Sequence, residues 1–388
     1  MPPEQRFRLD NRYPYQVLLT VRYAVGAPGR IRHWLLVGPL LAVLLLTSAC
    51  GGQSLSPLYG FCAQVVAGQA APVVKATKEA GFGWLTQQVR WDGLQPTPTT
   101  TINWSQLDMA ANAASADGIK MMFSVVAAPS WAAVPNGHFP KDPAVFATFL
   151  TEMAKHFKGR VQAYEIWNEE NFATEVGPGH ISPGQYVELL KGSYAALKAV
   201  DPTLTVVSGA PTPTGVNNPN IAMDDATYLQ QMYAYDNGAV KGYFDVLGAH
   251  PEGYANPPEE TMANHTQPNF SNHPSFFFRR MEDYRAIMVQ AGDGAKKIWA
   301  TETGYDSNPK APAGYEYARG LSEQQQADYL VRSIKYARAN WPWMGVMFIW
   351  NLNFQAVVPQ TDEKWGFGVL RSDYSPRPAY TALQQMSK

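Results

Sequence analysis

From residue 57 onward the hydrophobic pattern keeps changing period. Short apolar or alternating runs are separated by longer stretches in which apolar residues recur every three or four positions, the marks of strand and helix. The short runs lie at 58–62, 84–91, 120–126, 159–166, 203–208, 244–250, 297–301 and 344–350. The helical stretches lie at 70–80, 103–117, 142–158, 182–200, 224–235, 276–290, 322–339 and 376–386.

Several helix starts carry their own signals. Asp142-Pro143 and Ser182-Pro183 put a capping side chain before a first-turn proline. Ser322 with Gln325, and Asn103 with Gln106, have capping-box spacing.

Strands apolar on both faces, each followed by a helix, predict a parallel sheet covered by helices. Eight such repeats suit a single-domain (β/α)8 TIM barrel. A doubly wound open sheet is the alternative, but no Gly-x-Gly-x-x-Gly follows the first strand. Helix-to-strand connections are short, as at Gly118-Ile119 and Asp201-Pro202, whereas strand-to-helix loops such as 127–141, 251–273 and 351–375 are long. Long loops therefore gather on the face where strands end, which is where such barrels build their sites.

Composition narrows the function classes. Across 388 residues, 31 basic and 32 acidic side chains give a net charge of −1, which argues against a nucleic-acid surface. Eleven Trp and twenty Tyr fit a protein that stacks on the flat faces of sugars, although aromatics also build cores. The His residues form no His-Glu-x-x-His or His-x-His pair, so no catalytic metal is expected, and no cofactor motif occurs.

The N-terminus reads as a targeting segment, residues 1–49. Arg22, Arg30, Arg32 and His33 precede an apolar run at 34–46, too short to span a bilayer comfortably, followed by Thr47-Ser48-Ala49-Cys50. Small residues running into Cys50 resemble a bacterial lipobox, although Thr47 replaces the usual Leu. The expectation is cleavage before Cys50 and lipid attachment to its thiol, placing the protein in a bacterial envelope. An uncleaved signal anchor and ordinary secretion are the alternatives. Residues 50–56 then form a short linker and 57–388 the catalytic domain, expected to be a monomer. Cys62 reads as a buried thiol.

The candidate chemistry sits at strand ends. The fourth run closes on Trp167-Asn168-Glu169-Glu170, where small turn residues are usual, and the seventh closes on Glu302. The fourth and seventh strands of a barrel face each other across its mouth. Two carboxylates there suit glycoside cleavage, with one acid protonating the leaving oxygen and the other ionised. An ion-pair network closing the barrel top is the bland alternative.

Trp167-Asn168-Glu169 together with Thr301-Glu302-Thr303-Gly304 resembles the retaining glycoside hydrolases of clan A. Arg90, His250, Trp350, the 365–370 run and Pro376-Arg377-Pro378-Ala379-Tyr380 agree with the same pattern over about residues 57–388. The Trp-Asn-Glu-x-Asn form and the His-Pro-x-Gly-Tyr run are most similar to family 39 and its neighbours, with family 5 next. The resemblance implies Glu169 as acid/base and Glu302 as nucleophile. It implies Asn168 on the sugar 2-hydroxyl, Arg90 and His250 supporting nucleophile and substrate, and Trp350 as sugar platform. Tyr254 and Trp131 are further pocket candidates, whereas Glu165 and Glu170 are set aside. The expected partner is a β-linked oligo- or polysaccharide. A lipid-anchored carbohydrate-binding protein without turnover, or a transglycosylase on the same site, are the rival readings.

Overall fold

A computed structural model of the protein describes residues 55–65, 69–266, 270 and 272–388. The expected targeting segment, residues 1–49, and Cys50 lie outside those residues. No helix among the described residues is long and apolar enough to cross a membrane.

Eight strands form, β1 (Ser56–Cys62), β2 (Phe82–Arg90), β3 (Lys120–Val126), β4 (Ala163–Ile166), β5 (Thr205–Ser208), β6 (Leu247–Ala249), β7 (Ile298–Thr303) and β8 (Met344–Ile349). A helix follows each: α1 (Ala70–Glu79), α2 (Ser105–Ala116), α3 (Pro143–His156), α4 (Pro183–Val200), α5 (Asp225–Ala234), α6 (Arg280–Gln290), α7 (Glu323–Asn340) and α8 (Pro378–Gln385). The sheet order is β5-β4-β3-β2-β1-β8-β7-β6, with parallel neighbours. A single bridge between Val207 and Val246, with the Ser208 amide donating to the Val246 carbonyl at 3.1 Å, brings β5 against β6 and closes the ring. That closure removes the open-sheet alternative.

The period-2 alternation of the strands sorts side chains by height inside the barrel. Trp84, Met122, Ala163, Trp299 and Phe348 form an apolar plug at the lower level, with Trp84 edge-on to Trp299 at 5.2 Å. One step up each strand, Thr86, Ser124, Glu165 and Thr301 line a small polar cavity beneath the mouth. Gly60 faces inward where a Cβ would sit 2.6 Å from the Phe348 ring, so only glycine leaves room for the plug. A larger core lies between barrel and helices, where Trp91 stacks on Phe149 of α3 at 4.8 Å.

Asp142, Ser182 and Ser322 cap their helices, and Ser322 with Gln325 completes a capping box. Asn103 does not. Its side chain accepts from the Ser105 amide at 3.1 Å, closing a local turn, and the helix starts only after it. The fourth strand begins at Ala163 rather than 159, because 158–160 form a turn. The stretch at 276–290 divides into a short 3-10 turn, Pro274–Phe276, and α6, since Phe277 is extended.

Candidate active site

The β4 exit sets the geometry. Trp167 and Glu169 both have left-handed backbones, φ 71° and 46°, a conformation that non-glycine residues hold only where surroundings enforce it. Hydrogen bonds enforce it here: the Trp167 amide donates to the Val125 carbonyl at 3.1 Å and the Glu169 amide to the Ala210 carbonyl at 3.0 Å. Asn171 is fully buried. Its amide donates to the Thr212 and Met223 carbonyls at 3.0 and 2.8 Å, and its oxygen accepts from the Thr212 amide at 2.7 Å. The turn therefore carries Trp167 outward into the core, edge-on to Phe139 at 5.2 Å and Phe146 at 6.0 Å. Its ring is scaffold.

Glu169 and Glu302 meet at His250. The His250 Nδ1 lies 3.3 Å from Glu169 Oε1 and 3.7 Å from Glu302 Oε2. One ligand atom from each of the three groups falls within 4.8 Å of the others. Among the described residues no other group of His, Cys, Asp and Glu has the spacing to hold a metal ion. His250 Nδ1 faces both carboxylates, and when protonated it can donate to either.

Burial disfavours the His250 cation, yet the charges of Glu302 and Glu169 outweigh it and push the imidazole up to about 10. Burial pushes the Glu302 carboxyl well above the usual carboxylate range; His250 opposes this and the Glu169 charge adds to it. Glu252, two residues beyond His250, is raised to about 7, by burial first and then by the Glu169 charge.

Trp350 lines the cavity beside Glu302, packs edge-on to Phe354 at 4.8 Å, and is joined to Asn351 by a cis peptide. Asn168 is 5% exposed, and among the described residues neither its Oδ1 nor the Nε2 of buried His250 has a hydrogen-bond partner.

Three expected members are engaged elsewhere. Arg90 is half exposed and pairs with Asp92 at 2.7 Å rather than with Glu302, because β2 ends there and the next residues turn away as a short helix, Trp91–Leu94. Trp131 donates its indole N–H to the Gln95 carbonyl at 3.2 Å and packs edge-on to Trp91 at 5.4 Å. Tyr254 stacks on Phe270 at 5.1 Å and donates its hydroxyl to the Pro213 carbonyl at 3.0 Å, which ties the loop after β6 together.

Other residues join that pattern reading left aside. Glu165 points into the barrel and lines the same cavity as Glu302, beside Ser124 and Thr301. The signal was available: from Trp84 the alternation runs Thr86, Gln88, and on the neighbouring strands it runs through Ser124 and Glu165, polar residues on an inward face. Cys62 is buried as expected, its thiol donating to the Thr301 carbonyl at 3.1 Å.

No protein-family model matches the chain, and no curated protein does. Solved structures do. A family 39 glycoside hydrolase from the gut symbiont Bacteroides cellulosilyticus WH2 superposes with a TM-score of 0.63 at 22% identity over 84% of this chain. The family 39 enzyme from Xanthomonas axonopodis pv. citri gives 0.60 at 17% identity, again over 84%. A psychrophilic family 10 endo-β-1,4-xylanase gives 0.53 at 15% over 85% of this chain and 96% of its own. The chain shares their (β/α)8 fold. It spans 62% and 65% of the two family 39 structures, so the likeness shows the fold and leaves activity to the site.

Proposed function

We propose that the protein is a retaining β-glycoside hydrolase with Glu302 as nucleophile and Glu169 as acid/base. The observation that carries this is the spacing of the two carboxylates, whose oxygens approach within 4.8 Å. Retaining enzymes hold theirs about 5–5.5 Å apart, whereas inverting ones leave about 6.5–9.5 Å for a water. The fold shared with family 39 and family 10 enzymes supports the same chemistry by analogy.

In the first step Glu302 attacks the anomeric carbon while Glu169 gives its proton to the departing glycosidic oxygen, leaving a glycosyl ester on Glu302. In the second, Glu169 takes a proton from water, the water oxygen attacks the same carbon, and the Glu302 carboxylate departs. Glu169 is assigned the acid because its side chain is the more exposed, 21% against 13%, and must meet both leaving group and water. Attack requires Glu302 ionised and Glu169 protonated, against the burial that favours a neutral Glu302. The His250 cation, facing both carboxylates, stabilises the ionised Glu302 that results. Asn168 would hold the sugar 2-hydroxyl and Trp350 would pack under the ring.

The test is a panel of aryl β-glycosides and β-linked polysaccharides, with product configuration followed by proton NMR. A β-anomer formed first supports the reading. An α-anomer formed first contradicts it, and binding without turnover favours a carbohydrate-binding protein. We further propose export to a bacterial envelope through the Cys50 segment; metabolic labelling with an alkynyl fatty acid, lost in Cys50→Ala, tests it.

A further inference from the structure

Glu170 was set aside by its position one residue past the candidate acid, yet it is the most enclosed carboxyl of the β4 exit. It is 1% exposed, and among the described residues neither of its oxygens has a hydrogen-bond partner. The carboxyl packs onto Gly209 at the β5 exit, where a Cβ would come within 2.6 Å of Glu170 Oε2. On one flank Tyr186 of α4 bridges the two exits, its hydroxyl donating to the Ile166 carbonyl at 2.9 Å and accepting from the Gly209 amide. On the other flank stand the Glu169-to-Ala210 bond and the Asn171 clamp on Thr212. The Glu170 side chain thus fills the space between two backbone runs that are stitched together on both sides of it.

We propose that Glu170 is a positioning residue for Glu169: a wedge between the β4 and β5 exits that fixes the left-handed turn presenting the proton donor. Its chemistry agrees with a wedge. Burial pushes the carboxyl up to about 8, against the His250 cation, with Glu165 and Glu169 adding to the rise. Tyr186 and Tyr228, the other titratable groups around it, are raised well above their usual range by burial. An uncharged carboxylic acid can occupy such a site, whereas an unpaired carboxylate there is strongly disfavoured.

This role rests on the glycosidase reading, and leaving-group dependence separates the two. Phenyl glycosides need a proton from the acid for cleavage; 2,4-dinitrophenyl glycosides of the same sugar do not. In Glu170→Ala, kcat/KM should fall on the order of 100-fold on the phenyl glycoside and by less than about threefold on the dinitrophenyl one. Glu170→Gln, with the same shape, should restore most of the loss. If Glu170→Ala fails to fold, Glu170→Asp, which withdraws the carboxyl from Gly209 by one methylene, should reproduce the selective defect. Equal losses on both substrates, or none, would overturn the role. A wild-type protein that cleaves neither removes the glycosidase reading and the role of Glu170 with it.

Discussion

The imidazole of His250 donates from Nδ1 to Glu169 Oε1 at 3.3 Å, joining the exits of β6 and β4 at the barrel mouth. It has no exposed surface to be solvated from. A charged imidazole in such a place is stable only because of the carboxylates it faces, and its charge in turn opposes the burial that favours a neutral Glu302.

That dependence has a sign. The folded value of His250, about 10, lies above its ordinary value of 6.5. Its contribution to stability is therefore fully present below about pH 6.5 and is lost as pH rises toward about 10. Glu302, also raised, acts in the same direction from its ordinary value of 4.5 upward. Thermal melts of wild type and His250→Gln should differ most near pH 6 and converge toward pH 10. A gap that widens with pH would contradict the pairing.

Trp167 is a test of scaffold against site. Because its ring is fully buried against Phe139 and Phe146, Trp167→Ala should cost about 3–5 kcal/mol of unfolding free energy. Urea unfolding measures it. Trp167→Phe should recover most of the loss and keep activity; full stability in the alanine variant would mean that the ring is not core.

Trp350 should behave in the opposite way. Its ring is only partly buried and lines the cavity beside Glu302. Trp350→Ala is expected to lower kcat/KM by at least about tenfold, the loss of roughly 1.4 kcal/mol or more of transition-state contact, with a smaller change in melting temperature than Trp167→Ala. Unchanged kinetics would remove it from the sugar site.

Arg90 separates the resemblance from the geometry. An ion pair with Asp92 at a half-exposed position contributes about 0–1 kcal/mol. Arg90→Ala should leave stability within that range and change kcat/KM by less than about tenfold, measured on the best aryl glycoside. A much larger kinetic loss would mean that the guanidinium turns to the substrate.

Strand and helix order were legible from period alone, because each barrel strand is buried on both faces and each helix on one. Glu169, Glu302, His250 and Trp350 were legible for a related reason: in a parallel barrel the last residue of every strand reaches the same mouth. Where Arg90, Trp131 and Tyr254 point was not legible in the same way, because their direction depends on the residues around them. Arg90 is followed at once by a helical turn holding Asp92, and Tyr254 finds its partners in Phe270 and Pro213. Trp167 shows the same limit, since its left-handed φ turns the ring away from Asn168 and Glu169. Glu170 gave no sign in its spacing; its meaning comes from Gly209, a contact made only in three dimensions.

The central claim is the division of labour between Glu302 and Glu169, and azide rescue on an activated aryl β-glycoside tests it most directly. Both Glu302→Ala and Glu169→Ala should lose at least about 100-fold in hydrolysis. With sodium azide, Glu302→Ala should yield the α-glycosyl azide, formed by a single displacement, while Glu169→Ala should yield the β-azide through the intact ester. The reverse pairing of variant and anomer, read by NMR, would contradict the assignment.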